Sequence, residues 1–364
     1  MSILGPNDLK QFALPTYIDA AYISKYRLAS GETYEQYIGE VTQALAMQNG
    51  ALLSDPMVGG LISLTSEMMA EYAIGVSNGF NVATEYGRGD AQRGKTTGHM
   101  LPLIAYDRPT GWTWMSLQKA RRAQLDADIA SILADLRNIW HKNILTRLFK
   151  STYDSVGSGR SVPFADGGTA DSAYVPPFMP DRATEFAYTH QHYAALNGIT
   201  QANLVTAVKN VWEHGHDAPY ELLVPQADIA SWTAVATVTG FVPRASSLIR
   251  YGSTQDLANV AESYIGAVET DYGPVQMRMN ARIPTGYWAL YKSYGAQDQR
   301  NPLKVRYNER YGIGAILLAG DHIRTYPLEN AIAFSEFGVG IGDRTAAVLI
   351  ENSGDGVYTT PTIS

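Results

Sequence analysis

Gly89, Gly94, Lys95 and Thr96 fall at the spacing of a phosphate-binding loop: a glycine, four residues, then Gly-Lys-Thr. In such a loop, glycines turn successive backbone N–H groups toward phosphates, the lysine reaches the terminal phosphates, and the hydroxyl ligates magnesium. The loop must leave a buried strand and open a helix whose N-terminus favours the anion. Neither flank fits. Thr84-Glu85-Tyr86 is not the apolar run of a central parallel strand, and Gly98 and Pro102 follow within two turns of Lys95. The segment reads instead as a glycine-rich hairpin tip. Arg88-Gly89-Asp90 is also a cell-adhesion tripeptide, a match short enough to arise by chance.

Four histidines form a second candidate, as His190-Gln191-His192 and His214-Gly215-His216-Asp217. Two histidines on one face of a strand could hold a divalent metal. The first pair lies in a helical pattern, where residues two apart diverge by about 200°. The second pair follows a helix, where the dipole alone favours histidine. Zinc would need a third ligand that no nearby spacing supplies, so no metal site is assigned. Gly338-Val339-Gly340-Ile341-Gly342-Asp343 lacks dinucleotide-loop spacing and reads as a turn between strands. No serine sits in a nucleophile-elbow context. The sequence offers no catalytic residue, no cofactor site and no metal site.

The elements that would carry these residues have an unusual order. Residues 1–55 read as an arm, with a helix from Thr33 to Met47 presenting Tyr37, Val41 and Leu45. Met57–Tyr72 is apolar and small. Phe80–Tyr86 and Met100–Asp107 enter and leave the polar tip. One amphipathic pattern then runs from about Ser116 to Lys150, with Leu125, Ile129, Ile132, Leu133, Leu136, Trp140, Ile144 and Leu148 at spacings of three and four. Uninterrupted, it predicts a spine roughly 50 Å long; the alternative is two helices kinked near Asn138. Residues 151–182 form a long irregular link, the kind that a partner surface orders. Helical patterns follow between Asp181 and Asp217, one of them opening at Thr200, and again over Gln226–Thr237. Glu221–Pro225, Tyr264–Ile283 with a turn at Asp271–Pro274, Tyr287–Tyr291, Val305–Leu318, Tyr326–Phe334 and Arg344–Ile350 read as strands. Helices and strands come in blocks, so the class is α+β.

Composition narrows the function classes. The 364 residues suit one large domain or two linked lobes, and 45% hydrophobic content supports a real core. A net charge of −7 argues against a dedicated nucleic-acid reader. The lack of cysteine removes disulfides, thiolate metal sites and cysteine nucleophiles. The first residues lack signal-peptide character, and no stretch of 18 uncharged apolar residues offers a membrane span, so a soluble product of a cytosol is expected. The 23 tyrosines suit surfaces that are wet before assembly and buried after it.

Arm, charged hairpin, spine helix, mixed lobe and returning strands, in that order, resemble the Hong Kong 97-type major capsid protein of tailed double-stranded DNA bacteriophages. Local stretches agree: Gln191-His192-Tyr193, Trp212-Glu213-His214-Gly215, Ile283-Pro284-Thr285-Gly286-Tyr287, Tyr326-Pro327-Leu328, Phe337-Gly338-Val339-Gly340 and Asp343-Arg344. The resemblance covers most of the chain. It implies an α+β Hong Kong 97-like capsid fold with an N-terminal arm at 1–72 and an extended hairpin loop at 73–115. A peripheral domain with the spine helix would comprise 116–190 and 326–352, an axial domain 191–325, and a C-terminal tail 353–364.

The implied function is a shell subunit that self-assembles, without catalysis, into the icosahedral head enclosing a phage genome. Its implied partners are copies of itself in hexamers and pentamers, with portal, separate scaffolding or decoration proteins, and packaged double-stranded DNA held non-specifically. It would be assembled in the host cytoplasm and reside in the virion, with no membrane partner. Arg88, Asp90, Arg93 and Lys95 give the hairpin tip both signs of charge, suited to fixing register against a neighbouring subunit. Lys95 is the only lysine in the hairpin; a covalent crosslink would also need a partner asparagine and a catalytic glutamate, which the sequence does not mark. The alternatives are a cellular nanocompartment shell of the same fold, or a metal- or nucleotide-dependent hydrolase using His214, His216 or Gly89–Thr96.

Overall fold

The computed structural model describes residues 31–53, 55, 58–74, 95–113, 122–156, 159–165, 174, 176–177, 179, 182, 191–234, 238–243, 263–325 and 328–363. The chain divides into two compact units. The first comprises 1–50, 105–136 and 314–335; the second comprises 51–104, 137–313 and 336–364.

Helix α1 (Tyr34–Leu53), most of it in the first unit, begins at Thr33, whose hydroxyl accepts from the Gln36 N–H while the Gln36 side chain accepts from the Thr33 N–H. This reciprocal cap satisfies two otherwise orphaned donors. The helix runs beyond the expected Met47, because Leu52 is buried as well as Tyr37, Val41 and Leu45. Residues 1–30 of the expected arm lie outside the described residues. Strand β14 (Ile316–Thr325) pairs antiparallel with β15 (Leu328–Ile341), from Ile316 opposite Phe334 to Thr325 opposite Leu328. Strand β4 (Ile104–Thr113) also pairs with β15.

The spine is a single helix, α2 (Arg122–Phe149), 28 residues and about 42 Å long. It passes Asn138 without interruption, since no glycine or proline breaks its hydrogen-bond ladder. The expected first turns, at 116–121, lie outside the described residues. Leu125, Ile132 and Leu136 are buried in the first unit; Trp140, Ile144, Leu145, Leu148 and Phe149 are buried in the second. Toward its C-terminal end the helix also buries His141 and Arg147, so the single stripe gives way to burial on most sides.

The second unit is built on a seven-stranded sheet ordered β7-β16-β12-β8-β11-β10-β9. These are Tyr193–Leu196, Ala347–Asn352, Tyr287–Lys292, Tyr220–Val224, Gly273–Met279, Tyr264–Thr270 and Phe241–Pro243. Strand β8 is central, antiparallel to β12 and parallel to β11. Helix α3 (Gln201–Trp212) starts where the sequence expects, with Thr200 accepting from the Asn203 N–H. Its Leu204, Ala207, Val208 and Val211 pack on Leu222, Val224, Trp288, Leu290, Val348 and Ile350. The alternate residues Leu223, Ala289, Tyr291 and Leu349 are buried too, which explains near-continuous apolar runs in these strands. The hairpin β10–β11 turns at Asp271–Tyr272 as expected, and Gly273 takes φ 111.

Several local expectations change. The helix expected over Gln226–Thr237 is a 3₁₀ turn, Gln226–Asp228, followed by α4 (Ile229–Thr233). The link at 151–182 contains a small hairpin, β5 (Asp154–Val156) with β6 (Gly159–Ser161). Val305–Leu318 is two strands, β13 (Leu303–Tyr307) and β14. Ile62–Thr65, within a segment with no assigned element, is strand β1, parallel to β13. Residues 353–363 dock: Tyr358 donates to the Phe149 carbonyl and its ring lies 5.1 Å from that of Tyr193.

Candidate functional site

The hairpin enters through β2 (Met69–Ile74) and leaves through β3 (Lys95–Met100), antiparallel, with Met69 opposite Met100 and Ile74 opposite Lys95. The expected exit run at Met100–Asp107 is therefore placed too late, and Lys95, expected at the tip, begins a strand. Period-two alternation explains the difference: Ala70 and His99, opposite one another, are buried, while their strand neighbours Met69 and Met100 are exposed. A strand at Lys95–Met100 also removes the phosphate-loop alternative, which needs a helix there. Of the tip residues, Arg88, Asp90 and Arg93, with the rest of 75–94 including Phe80–Tyr86, lie outside the described residues. Only the backbone position of Lys95 is described, at the last paired rung.

The ribbon has two unlike faces. One is held by an aromatic stack: Tyr72 lies 5.7 Å from His99 and 5.5 Å edge-on to Tyr174, and the Arg344 guanidinium sits 4.0 Å over Tyr174. Arg344 is fully buried and donates to the Pro163 carbonyl. Burial, with Arg344, Arg147 and Lys304 nearby, lowers the His99 pKa to about 4. The other face shows the paired Met69 and Met100 at 51% and 39% exposure.

The glycines that suggested a dinucleotide loop serve packing. Gly338 and Gly340 lie inside β15, not in a turn. A Cβ on Gly338 would stand 2.0 Å from the Pro102 carbonyl oxygen, and one on Gly340 would stand 2.4 Å from Leu101. The turn comes afterwards, at Gly342–Ala346.

Of the four candidate histidines, the three that are described are buried. His190 lies outside the described residues. His192 enters strand β7 and is not on a helix, contrary to the sequence pattern, and its Nδ1 faces the Ala347 carbonyl at 2.8 Å. Its Nε2 lies 3.1 Å from Nε2 of His214, whose Nδ1 faces the Pro177 carbonyl. His216 has Nδ1 at 2.7 Å from the Tyr294 hydroxyl and Nε2 at 2.9 Å from Oγ1 of Thr345. Thr345 spends its proton on Asp343, at 2.7 Å. It can therefore only accept from His216, which leaves Nδ1 to accept from Tyr294. Tyr294, His216, Thr345 and Asp343 thus form a chain in which every donor has an acceptor while His216 is neutral. Burial lowers the His216 pKa, which keeps it so. Among the described residues, no group of three histidines and carboxylates could hold a metal ion. Tyr294 and Thr345 were not legible as members of this chain, since they lie 78 and 129 residues from His216.

No protein-family model matches the chain. No curated relative matches it either. Solved structures do. A chain of Mycobacterium phage Patience superposes with TM-score 0.64 at 21% identity, covering 95% of this chain and 96% of that one. The capsid of a native GTA particle gives TM-score 0.47 at 12% identity, covering 83% and 91%. The mature capsid of bacteriophage PhiM1 gives 0.46 at 11%, covering 80% and 85%. The last two are looser, and the fold rests on the Patience chain. The chain has the Hong Kong 97-like α+β fold expected from the order of its segments.

Proposed function

We propose that this chain is the major capsid subunit of a tailed double-stranded DNA phage and acts by self-assembly, without catalysis. The observation that carries the reading is the end-to-end fold match with a phage protein, which leaves little of either chain uncovered. In this reading residues 1–72 are the arm, 73–115 the loop over a neighbouring subunit, 116–190 and 326–352 the peripheral domain, 191–325 the axial domain, and 353–364 the tail. Copies meet in hexamers and pentamers, portal, scaffolding or decoration proteins join them, and the virion is where the chain resides.

The ribbon supports the reading physically. Two strands alone are marginal and need other surface to lie on, and this ribbon leaves a methionine face bare. Arg88, Asp90, Arg93 and Lys95 would set the tip's register against the neighbour through paired charge. A net charge of −7 suits a shell that contains DNA without reading it.

Negative-stain microscopy of the purified chain, alone and with co-expressed neighbouring genes, tests this. Uniform shells tens of nanometres across are expected. A stable small oligomer that hydrolyses ATP and loses that activity in Lys95→Ala would overturn it.

A further inference from the structure

We propose that residues 357–363 form an exchangeable strap, and that the cradle it occupies takes the same segment of a second copy of this chain. The cradle is built from the end of the spine helix and from three strands of the seven-stranded sheet. Tyr358 lies between two rings, 5.1 Å from Tyr193 and 6.1 Å edge-on to Tyr287, and Tyr287 meets Phe149 edge-on at 6.3 Å. The Tyr358 hydroxyl donates to the Phe149 carbonyl at 2.8 Å. That carbonyl ends α2 and has no donor within its own helix.

The next two residues of the strap are held as specifically. One carboxylate oxygen of Glu351 accepts from the Tyr287 hydroxyl at 2.9 Å, and the other accepts from the Thr359 N–H at 2.6 Å. The Ser151 N–H donates to Oγ1 of Thr360 at 3.3 Å, and the Ser151 hydroxyl lies 3.0 Å from the same oxygen. An aromatic anchor, a backbone amide and a hydroxyl are thus recognised at consecutive positions of an extended segment. Peptide-binding sites work in this way. Ile363, at the far end of the strap, is buried as well.

None of these contacts requires the strap to belong to the same chain. The strap joins no strand ladder. It is tied to β16 by Ser353-Gly354-Asp355-Gly356-Val357, with Gly354 to Val357 exposed. Asp355 closes this turn, accepting from the Ser353 hydroxyl at 2.7 Å and from the Val357 N–H at 3.1 Å, and Gly356 takes φ 74. Opened out, these five residues span about 17 Å. Exchanging an identical element costs little, because the contacts made to the second copy are those given up in the first. The local concentration of neighbouring tails then decides which copy's strap fills the cradle. The proposed self-assembly supplies that concentration, and the exchange rests on that reading for nothing else.

The absence of cysteine makes the test direct. Side-chain oxygens 3.0 Å apart at positions 151 and 360 put the two sites within reach of a disulfide. Full-length copies carrying Ser151→Cys are co-expressed with copies carrying Thr360→Cys, oxidised and run on a non-reducing gel, and linked peptides are identified by mass spectrometry. A covalent dimer joined through positions 151 and 360 is expected. It should be about tenfold scarcer when the Thr360→Cys copy also carries Tyr358→Ala, which removes the aromatic anchor. A chain carrying both cysteine substitutions should give covalent dimers and longer species beside the internally closed monomer. Closed monomer alone, with no dimer from the mixed copies, would overturn the proposal. So would the lack of any 151–360 link, or a dimer indifferent to Tyr358→Ala. Sedimentation of the same samples separates the two readings: shells without the cross-copy link sink the exchange alone, and the link without shells sinks the shell alone.

Discussion

The seven-stranded sheet and the β2–β3 ribbon belong to the same unit but are stabilised in opposite ways. The sheet buries both faces: α3 and Trp232 cover Leu222, Val224, Trp288 and Val348 on one, and the alternate residues Leu223, Ala289, Tyr291 and Leu349 are buried on the other. The ribbon buries one face, through Ala70 and His99, and leaves Met69 and Met100 in water. Apolar burial stabilises by roughly 25 cal/mol per Å², so the sheet carries its own stability. The ribbon depends on what lies against it: an Arg344–Tyr174–Tyr72–His99 stack holds one side, and in the proposed shell a neighbouring copy would cover the other. If the chain is the proposed shell subunit, a complete core with a half-covered extension suits folding first and assembling afterwards.

The most damaging break should fall in the sheet. Trp288→Ala removes a fully buried indole, and is expected to cost about 4 kcal/mol, read as a drop in denaturant midpoint; a change below about 1 kcal/mol would mean the sheet is not the stability centre. The next test is pH acting on the ribbon's anchored face. His99 has its pKa lowered to about 4 against an ordinary 6.5, so the unfolded chain binds the proton first as pH falls. Its stabilising contribution is complete above about pH 6.5, declines as pH falls toward 4, and amounts to on the order of 3 kcal/mol. His99→Gln should flatten that part of the stability–pH curve measured by denaturation.

Gly338→Ala probes where the segment between β3 and β4 presses on β15. The added methyl would meet the Pro102 carbonyl oxygen, and a loss of about 2 kcal/mol is expected in the same assay. The smallest stability effect should come from the bare face. Met69→Ser with Met100→Ser is expected to change subunit stability by no more than about 0.5 kcal/mol, yet to lower shell yield by microscopy. Equal shell yield would show that this face is not used between subunits.

Much of the fold was legible because local rules carried it. The spine's stripe of Leu125, Ile132, Leu136 and Trp140 required a helix, and Thr200 capped α3 where its side chain could reach the Asn203 N–H. The strands around the Asp271 turn alternate as a hairpin must. Misplaced segments were those where distant contacts outrank local pattern. His192 looked helical and lies at a strand edge, because β7 pairs with β16 more than 150 residues away. Gly338 and Gly340 looked like a turn and sit within a strand, because Leu101 and Pro102 press on them.

The sequence by itself determined the long spine helix, the Thr200-capped helix, the Asp271 hairpin, the absence of thiol chemistry and the order of segments, since each depends on residues close together or on composition. Tertiary structure alone decided which histidine rings meet, which hydroxyls His216 pairs with, and which face of the ribbon is exposed. Those outcomes depend on carbonyls, hydroxyls and rings brought together across 22 to 155 residues of chain, and hydrogen-bond geometry is not encoded in spacing along the sequence.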